Sequence, residues 1–182
     1  YEGRNVYLSQ YNKDVVISVC SFSKEASMPG FRLGYVCANK EIISAMEKVK
    51  QIVTLCPSMP AQLILINYLA SEAKDKYLNE YVIPTYKRRR DFMAKMLKQY
   101  LPEVEFRIPE GAFYIFANFA KYIKDKNVEE LADDILNKAK VVVIPGSYFG
   151  RTTDKHFRLT FVSENEEKIE EGIKRLAEYF SQ

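Results

Sequence analysis

Residues 15–24 read Val-Val-Ile-Ser-Val-Cys-Ser-Phe-Ser-Lys, and this stretch decides the predicted fold class. The nearly continuous β-branched run at 15–20 is typical of a strand buried on both faces of a parallel sheet. Polar side chains follow at once, at Ser21, Ser23 and Lys24. Ligands collect at that edge of an open α/β sheet, because loops there present polar groups on rigid strands. We therefore expect an α/β fold with a ligand site that begins at Ser21.

The composition indicates an ordinary globular protein. With 182 residues, 47% hydrophobic and 28% charged, the chain has the size of one large or two small domains and excludes disorder, collagen and coiled coil. The net charge of +3 gives no reason to expect a nucleic-acid partner or an anionic membrane. No apolar run approaches the roughly 20 residues of a membrane span. Three cysteines without a CxxC spacing predict buried reduced thiols and a cytoplasmic location.

Helical and strand periodicities alternate along the rest of the chain. Helical spacing resumes through residues 81–100 after an interruption near Pro84, which predicts one long kinked helix or two nearly collinear ones. Asn127 with Glu130 and Ser163 with Glu166 have the spacing of capping boxes at the starts of two further helices. The remaining predicted elements are strands at 31–38, 104–108, 112–117, 141–144 and 157–161, a helix at 41–53 and a helix from about residue 61.

The segment 21–34 (SFSKEASMPGFRLG) concentrates the groups that could carry chemistry. A lysine near another cation loses part of its proton affinity and can form a Schiff base with an aldehyde. Arg32 offers a fork of donors for phosphate oxygens, and Gly30 and Gly34 allow the backbone to approach a ligand closely. The segment therefore suits a phosphorylated carbonyl compound. By composition alone, however, a solvated loop is the favoured interpretation, because a lysine with nearby serines after a strand is usually part of one.

The arrangement S-x-S-K, followed eight residues later by R-x-G, resembles the cofactor-lysine motif of fold type I pyridoxal-phosphate enzymes, specifically the class I/II aminotransferases. Two further segments resemble the same family in the right order: residues 109–116 (PEGAFYIF) and residues 157–161 (FRLTF). The loop at 142–150 (VVIPGSYFG) is similar as well. The resemblance covers essentially the whole chain.

The resemblance implies a role for each matching residue. Lys24 would form the Schiff base with pyridoxal 5'-phosphate and then move the substrate proton. Ser21 and Arg32 would bind the cofactor phosphate, with Ser23 a weaker candidate for the same role. Arg158 would bind the substrate α-carboxylate as a bidentate pair; without the family context, a surface arginine on an edge strand is the competing interpretation.

Further implications concern domains and partners. Residues 1–56 would be the C-terminal part of a large cofactor-binding domain with a mostly parallel sheet, 57–100 a bridging helical segment, and 101–182 a small α+β domain. Tyr1, or a neighbouring aromatic position, would bind the cofactor's phenolic oxygen. The substrates would be an amino acid and a 2-oxo acid. The complete enzyme would be a homodimer, with residues 56–60 near the partner subunit.

Two departures from the family pattern stand out. Glu25 follows Lys24 where the family has a small or hydroxylic residue, and we expect this carboxylate to point outward. The family's phosphate-binding turn, stacking aromatic ring, asparagine and aspartate all come before the lysine, and none is found in these 182 residues. We therefore expect a fragment of a longer enzyme, and one that is a poor transaminase or none by itself.

Several alternatives remain open from the sequence. A β-eliminating lyase on the same scaffold would share Lys24, Arg32 and Arg158. A transcription regulator could use an aminotransferase-like domain to sense an effector without turnover. A cofactor-free binding domain is a third possibility, but the strand at 15–20 would then lack sheet neighbours and leave apolar surface exposed.

Two other features are predicted to be structural. The basic run at 87–90 (KRRR) lies on an amphipathic helix, where a solvated face is the expected interpretation rather than a nucleic-acid site. His156 is the single histidine, and we expect neither a histidine-based metal site nor a Ser-His-Asp triad unless a partner contributes residues.

Overall fold

The computed structural model describes Tyr1 and residues 6–12, 14–123 and 126–182. These residues form two compact units: one within residues 6–80, and one that consists of Tyr1 and residues 81–182. Each unit combines helices with a small antiparallel sheet. The predicted α/β class is therefore confirmed, and each unit is described separately below.

The first unit carries a two-stranded sheet and three helices that follow it. A short 3₁₀ turn at Leu8–Gln10 precedes the sheet, and a second one at Pro29–Phe31 lies between its strands. The regular elements are β1 (Ser18–Ser21), α1 (Phe22–Glu25), β2 (Gly34–Cys37), α2 (Lys40–Val53), α3 (Met59–Ala70) and α4 (Ala73–Lys76).

The strand pairing differs from the parallel arrangement expected for the first strand. β1 and β2 pair antiparallel, with Ser21 opposite Gly34, and the described residues contain no parallel pair. β1 also begins at Ser18, three residues later than predicted. Val15, which precedes β1, and Val19 within it are both 74% exposed, and β1 has β2 as its single strand neighbour among the described residues. The prediction of burial on both faces is therefore wrong for these residues.

A small core holds the first unit together. Its buried residues are Met28, Leu33, Ala61 and Leu65, which link the loop after α1 to helix α3. Helix α2 starts where the sequence predicts, since the Asn39 side chain accepts a hydrogen bond from the Ile42 N–H at 2.9 Å. The thiols do not follow the prediction of burial: Cys37 and Cys56 are exposed and Cys20 is half-buried, although all three are free.

Helical backbone leads from the first unit to the second. α4 continues into a wide π-helical turn at Tyr77–Val82 and then into α5 (Ile83–Tyr100), with Pro84 in the first turn. Pro84 has no N–H to donate and follows helical backbone directly, and the wide π-helical turn before it is the kind of irregularity at which a helix accommodates a proline. The compact units divide between residues 80 and 81. The predicted division at 56/57 and 100/101 stays a prediction about domains of the longer protein.

The second unit is a three-stranded antiparallel sheet packed against helices. The strand order is β3-β5-β4, so that β5 is central. After α5, its elements are β3 (Tyr114–Asn118), α6 (Ala120–Ile123), α7 (Val128–Ala139), β4 (Ile144–Pro145), a 3₁₀ turn at Gly146–Phe149, β5 (His156–Thr160) and α8 (Glu166–Phe180).

Two of the predicted strands are largely absent. Residues 104–108 form only one bridge, between Glu105 and Asn118. Their alternating pattern reflects the packing of Val104 and Phe106 against the core, not a ladder. The strand predicted at 141–144 is reduced to β4, which begins at Ile144.

The core of the second unit lies between its sheet and helices α5, α7 and α8. It is rich in aromatic and branched side chains, and its fully buried members include Leu97, Ile115, Phe119, Ile135, Phe157 and Phe161. The capping prediction at Asn127 is confirmed, since its Oδ1 accepts from the N–H groups of Glu129 and Glu130. The capping prediction at Ser163 is wrong: Asn165 caps α8 by accepting from the Lys168 N–H at 3.0 Å.

The basic run on α5 serves packing within the second unit. Arg88 Nε donates to Glu166 Oε1 at 2.5 Å, and Arg89 donates to the Val162 carbonyl at 3.0 Å. Arg90 is buried and donates to the Pro109 carbonyl. The prediction of a solvated face is therefore wrong for Arg90.

No helix within the described part of the chain has both the length and the apolar composition that a bilayer crossing requires.

Candidate active site

The lysine-bearing segment follows β1 directly. Ser21 ends β1 and is the N-cap of α1, where its Oγ accepts from the Ser23 N–H at 3.2 Å. The Ser21 hydroxyl also donates to Ser23 Oγ at 3.0 Å. Lys24 is the next residue and is exposed, as is Glu25. Two hydroxyl groups are thus fixed beside each other, one residue away from a lysine that is accessible to solvent.

Arg32 belongs to the same hairpin end. Its backbone is left-handed (φ 53°, ψ 44°), and its guanidinium donates to the Pro29 carbonyl at 2.8 Å. The Phe22 N–H donates to the Leu33 carbonyl at 3.2 Å, which ties the start of α1 to the residue after Arg32. The structure therefore brings Ser21, Ser23, Lys24 and Arg32 to one end of the β1–β2 hairpin.

Gly34 is required by the strand pairing. A Cβ at this position would lie 2.5 Å from the Cys20 carbonyl oxygen, far closer than side chains approach backbone. At Gly30, by contrast, a Cβ would meet no atom within 4 Å. The sequence predicts room for a ligand at both glycines. At Gly34, the space is instead taken by the Cys20 carbonyl of the paired strand.

Arg158 lies on the central strand of the other sheet. It pairs with Phe116 of β3 on one side and with Ile144 of β4 on the other. The competing interpretation, a surface arginine on an edge strand, is therefore wrong. Its neighbours Phe157 and Leu159 point into the core, so that the half-buried Arg158 lies on the opposite face of the sheet.

Aromatic rings surround the Arg158 guanidinium. Its Cζ lies 4.3 Å from the centroid of the Tyr114 ring and 4.7 Å from that of Phe149. Phe116 packs edge-to-face on Phe149 and stacks on His156 at 5.0 Å. In the part of the chain that the structure describes, no acidic side chain pairs with Arg158. The cation is thus held by rings that use none of its N–H donors.

The sequence also matches a known protein family. The family model for aminotransferase class I and II matches residues 4–176. The chain belongs to this family. The predicted resemblance to this family is thereby confirmed, and the family's cofactor is pyridoxal 5'-phosphate.

Individual aminotransferases are similar along nearly the whole chain. The aromatic-amino-acid aminotransferase 1 of Thermococcus litoralis is 36% identical over 181 residues, which cover 97% of this chain and 39% of that protein. The aspartate aminotransferase of Sulfurisphaera tokodaii is 35% identical over 170 residues, with 92% and 41% covered. The crystal structure of an aromatic aminotransferase from Pyrococcus horikoshii has a TM-score of 0.91 at 28% identity, with 100% and 48% covered. The chain therefore spans less than half the length of these relatives.

The polar groups at the hairpin end are of the kinds that bind the aminotransferase cofactor. Ser21 and Ser23 offer hydroxyl groups and Arg32 a guanidinium, which are the usual partners of a phosphate group. Lys24 offers an exposed primary amine. Among the described residues, no cluster of His, Cys, Asp or Glu side chains is suited to a metal ion. The polar groups of this hairpin end therefore match an organic phosphate.

Tyr1 lies in the unit of Arg158 and not in the unit of Lys24. Its hydroxyl donates to the Ala112 carbonyl at 2.5 Å, and the Arg90 Cζ lies 4.9 Å from its ring centroid. The structure therefore gives Tyr1 a contact within its own unit. The role of Tyr1 toward the cofactor stays a prediction, as do the roles of the other residues named from the resemblance.

The sequence analysis missed the aromatic residues around Arg158. Tyr114 and Phe116 alternate with buried Ile115 and Ala117 along β3, which places both rings on the face of Arg158. That alternation is visible in the sequence and could have indicated the two rings. Phe149 gives no such signal, because its position depends on a loop that joins two strands.

Proposed function

We propose that the protein of which this chain is a part transfers an amino group between an amino acid and a 2-oxo acid, using pyridoxal 5'-phosphate. The observation that carries the proposal is Arg158, a half-buried guanidinium on the central strand, held by rings and free of any acidic partner among the described residues. A carboxylate is the ligand that such a fork of donors binds best. Amino acids and 2-oxo acids share that group.

The residues at the hairpin end would hold the cofactor. Ser21, Ser23 and Arg32 would bind its phosphate, and the Lys24 amine would bond to its aldehyde carbon with release of water. When bound, the cofactor supplies the carbonyl that takes up the amino group and a ring that withdraws electrons from the substrate. Tyr1, or a neighbouring aromatic residue, would donate to its phenolic oxygen; this role rests on the resemblance alone, and the Tyr1 hydroxyl would have to leave the Ala112 carbonyl to take it.

The chain's own residues then act on the substrate. Arg158 binds the α-carboxylate in a bidentate pair and so fixes the orientation of the α-carbon. The Lys24 amine would accept the proton from the substrate α-carbon and donate it again later in the same half-reaction. The same two residues serve the second half-reaction, because an incoming 2-oxo acid carries the same carboxylate.

The proposal extends to the setting of the enzyme. Membership of the family supports the further proposal that the complete enzyme is a cytoplasmic homodimer with a role in amino-acid biosynthesis. Residues 56–60 are exposed in this chain and are proposed to face a partner subunit. The relatives' names make aromatic amino acids and aspartate the first substrates to assay.

Turnover by the full-length protein tests the proposal. An amino acid and a 2-oxo acid are supplied together and singly, and the product 2-oxo acid is measured. Continuous turnover is expected only when both are present, and it is expected to vanish in Lys24→Ala while Lys40→Ala, an exposed lysine at the start of α2, retains it. Ammonia release from one amino acid alone would indicate a lyase instead. Ligand binding without any turnover would indicate a regulator and would equally contradict the proposal.

A further inference from the structure

We infer that Tyr114 and Phe149, called here the aromatic pair, are positioning residues that hold the Arg158 guanidinium ready for the substrate carboxylate. The inference rests on the proposed function and deepens it. The two ring centroids lie 4.3 and 4.7 Å from Arg158 Cζ, within the range of cation–π attraction.

The contact type matters for the function. An acidic neighbour would fix an arginine by occupying its N–H donors, and the substrate would then have to displace it. Aromatic faces attract the cation through the ring quadrupole and leave all five donors free. Arg158 forms no ion pair among the described residues, and the contacts of its guanidinium are with the aromatic pair. The ordering of this long side chain is thus achieved before the substrate binds.

The sheet fixes one member of the pair. Tyr114 opposes Thr160 in the β3–β5 register. Phe116, two residues further along β3, opposes Arg158. Its ring also packs edge-to-face on Phe113. The position of Tyr114 relative to Arg158 is therefore set by strand pairing, which allows little freedom.

Hydrogen bonds within a loop fix Phe149, the other member of the aromatic pair. Phe149 ends the 3₁₀ turn Gly146–Phe149, and the Thr153 hydroxyl lies 2.7 Å from the Gly146 carbonyl oxygen and 2.8 Å from that of Gly150. A Cβ at Gly146 would come within 2.1 Å of the Thr153 carbonyl oxygen, so this close approach requires glycine. Phe116 packs edge-to-face on Phe149 at 5.7 Å and supports its ring.

Loss of a ring should affect binding and not chemistry. In Tyr114→Leu or Phe149→Leu, Arg158 samples other rotamers before the substrate binds, and that freedom is lost on binding. The KM values for the amino acid and for the 2-oxo acid should both rise about two- to fivefold, the size of one cation–π contact at a partly exposed site. Once the carboxylate is bound, it orients Arg158 itself, so kcat and cofactor content should stay within about twofold of wild type.

The variants can be matched to controls. Tyr114→Phe keeps the ring and is expected to restore a KM near that of wild type. Tyr148→Leu removes the neighbouring aromatic side chain, which is 66% exposed, and should leave KM unchanged. Phe149 is 50% exposed, so that its replacement leaves the core intact and provides a test even if Tyr114→Leu fails to fold. Thr153→Val removes the hydroxyl that bonds to the Gly146 and Gly150 carbonyls, at nearly constant side-chain shape, and should also raise KM.

Steady-state kinetics of the full-length, cofactor-loaded protein decide between the outcomes. A raised KM for both substrates in Tyr114→Leu and Phe149→Leu, with rescue in Tyr114→Phe, supports the inference. Unchanged KM values in both leucine variants, alongside a raised KM in Arg158→Lys, would overturn the aromatic pair and leave the proposed function standing. An Arg158→Lys enzyme with unchanged KM would overturn the carboxylate site and the inference with it. A parallel loss of cofactor content and kcat in Phe149→Leu would show a general structural role and would also overturn it.

Discussion

Gly34→Ala is expected to disturb the hairpin end that carries Ser21 and Arg32. The new Cβ would lie 2.5 Å from the Cys20 carbonyl oxygen, whereas ordinary contact begins at 3.4 Å, so β1 and β2 must move apart by the difference, about 0.9 Å. The obstacle is backbone of the paired strand, and no side-chain rotation relieves it. Overpacking of this kind costs roughly 1–3 kcal/mol of stability. A shift of that size also lengthens any hydrogen bond from Ser21 to a bound phosphate.

Two measurements on the full-length protein check this prediction. Urea unfolding gives the loss of stability, and absorbance titration with pyridoxal 5'-phosphate gives the cofactor dissociation constant. The loss of one hydrogen bond to a charged group should raise that constant about 10- to 100-fold. Gly30→Ala is the matched control, because its Cβ meets nothing within 4 Å, and it should leave both quantities unchanged. If Gly34→Ala behaved like Gly30→Ala in both measurements, the reasoning would be refuted.

Three further predictions concern the second unit. Arg158→Ala should weaken binding of amino acids and 2-oxo acids by roughly 2–5 kcal/mol in steady-state kinetics, with cofactor affinity nearly constant; an equal loss of cofactor would point to a structural role instead. Asn165→Ala should lower the free energy of unfolding by about 1 kcal/mol, as expected for an N-cap, while Ser163→Ala should leave it within roughly half that amount, and the reverse order would contradict the observed cap. The hydrogen bond from Arg88 lowers the pKa of Glu166 below its ordinary value of 4.5. The Arg88–Glu166 pair therefore contributes its full stabilisation above pH 4.5 and loses it as the pH falls through the lowered pKa. Wild type should therefore lose slightly more stability in acid than Glu166→Gln, by less than about 1 kcal/mol, and identical acid-unfolding curves would argue against the pair.

Local signals in the sequence were sufficient for most helices. Asn39 and Asn127 each precede a run of helical spacing, and each caps the helix that follows. The start of α8 was misplaced because Ser163 and Asn165 both have capping side chains, and only the loop after β5 decides which one reaches the helix. Helix boundaries thus follow from short-range chemistry except where two caps compete.

Strand pairing was much less accessible. The β-branched run at 15–20 predicts a strand, and β1 forms within it from Ser18, but the predicted burial and parallel pairing are wrong. Both depend on which segments lie beside the strand. The alternation at 104–108 likewise reports burial of Val104 without a ladder. Register and strand order are set by long-range contacts, and no local pattern encodes them.

The same difference between local and long-range information applies to the candidate site. The spacing of Ser21, Lys24 and Arg32 identified the hairpin end, because these residues are close in sequence as well as in space. The central position of Arg158 and its contact with Phe149 depend on strand order and on a loop, so sequence reasoning could not supply them.

The central claim is that Lys24 carries the cofactor, and its most direct test is chemical labelling of the full-length protein. The protein is incubated with pyridoxal 5'-phosphate, reduced with borohydride, digested and analysed by mass spectrometry. We expect a pyridoxyl group on the peptide that contains Lys24, and its loss in Lys24→Ala but not in Lys40→Ala. A stoichiometric label on any other lysine, or no label on the full-length protein, would contradict the claim.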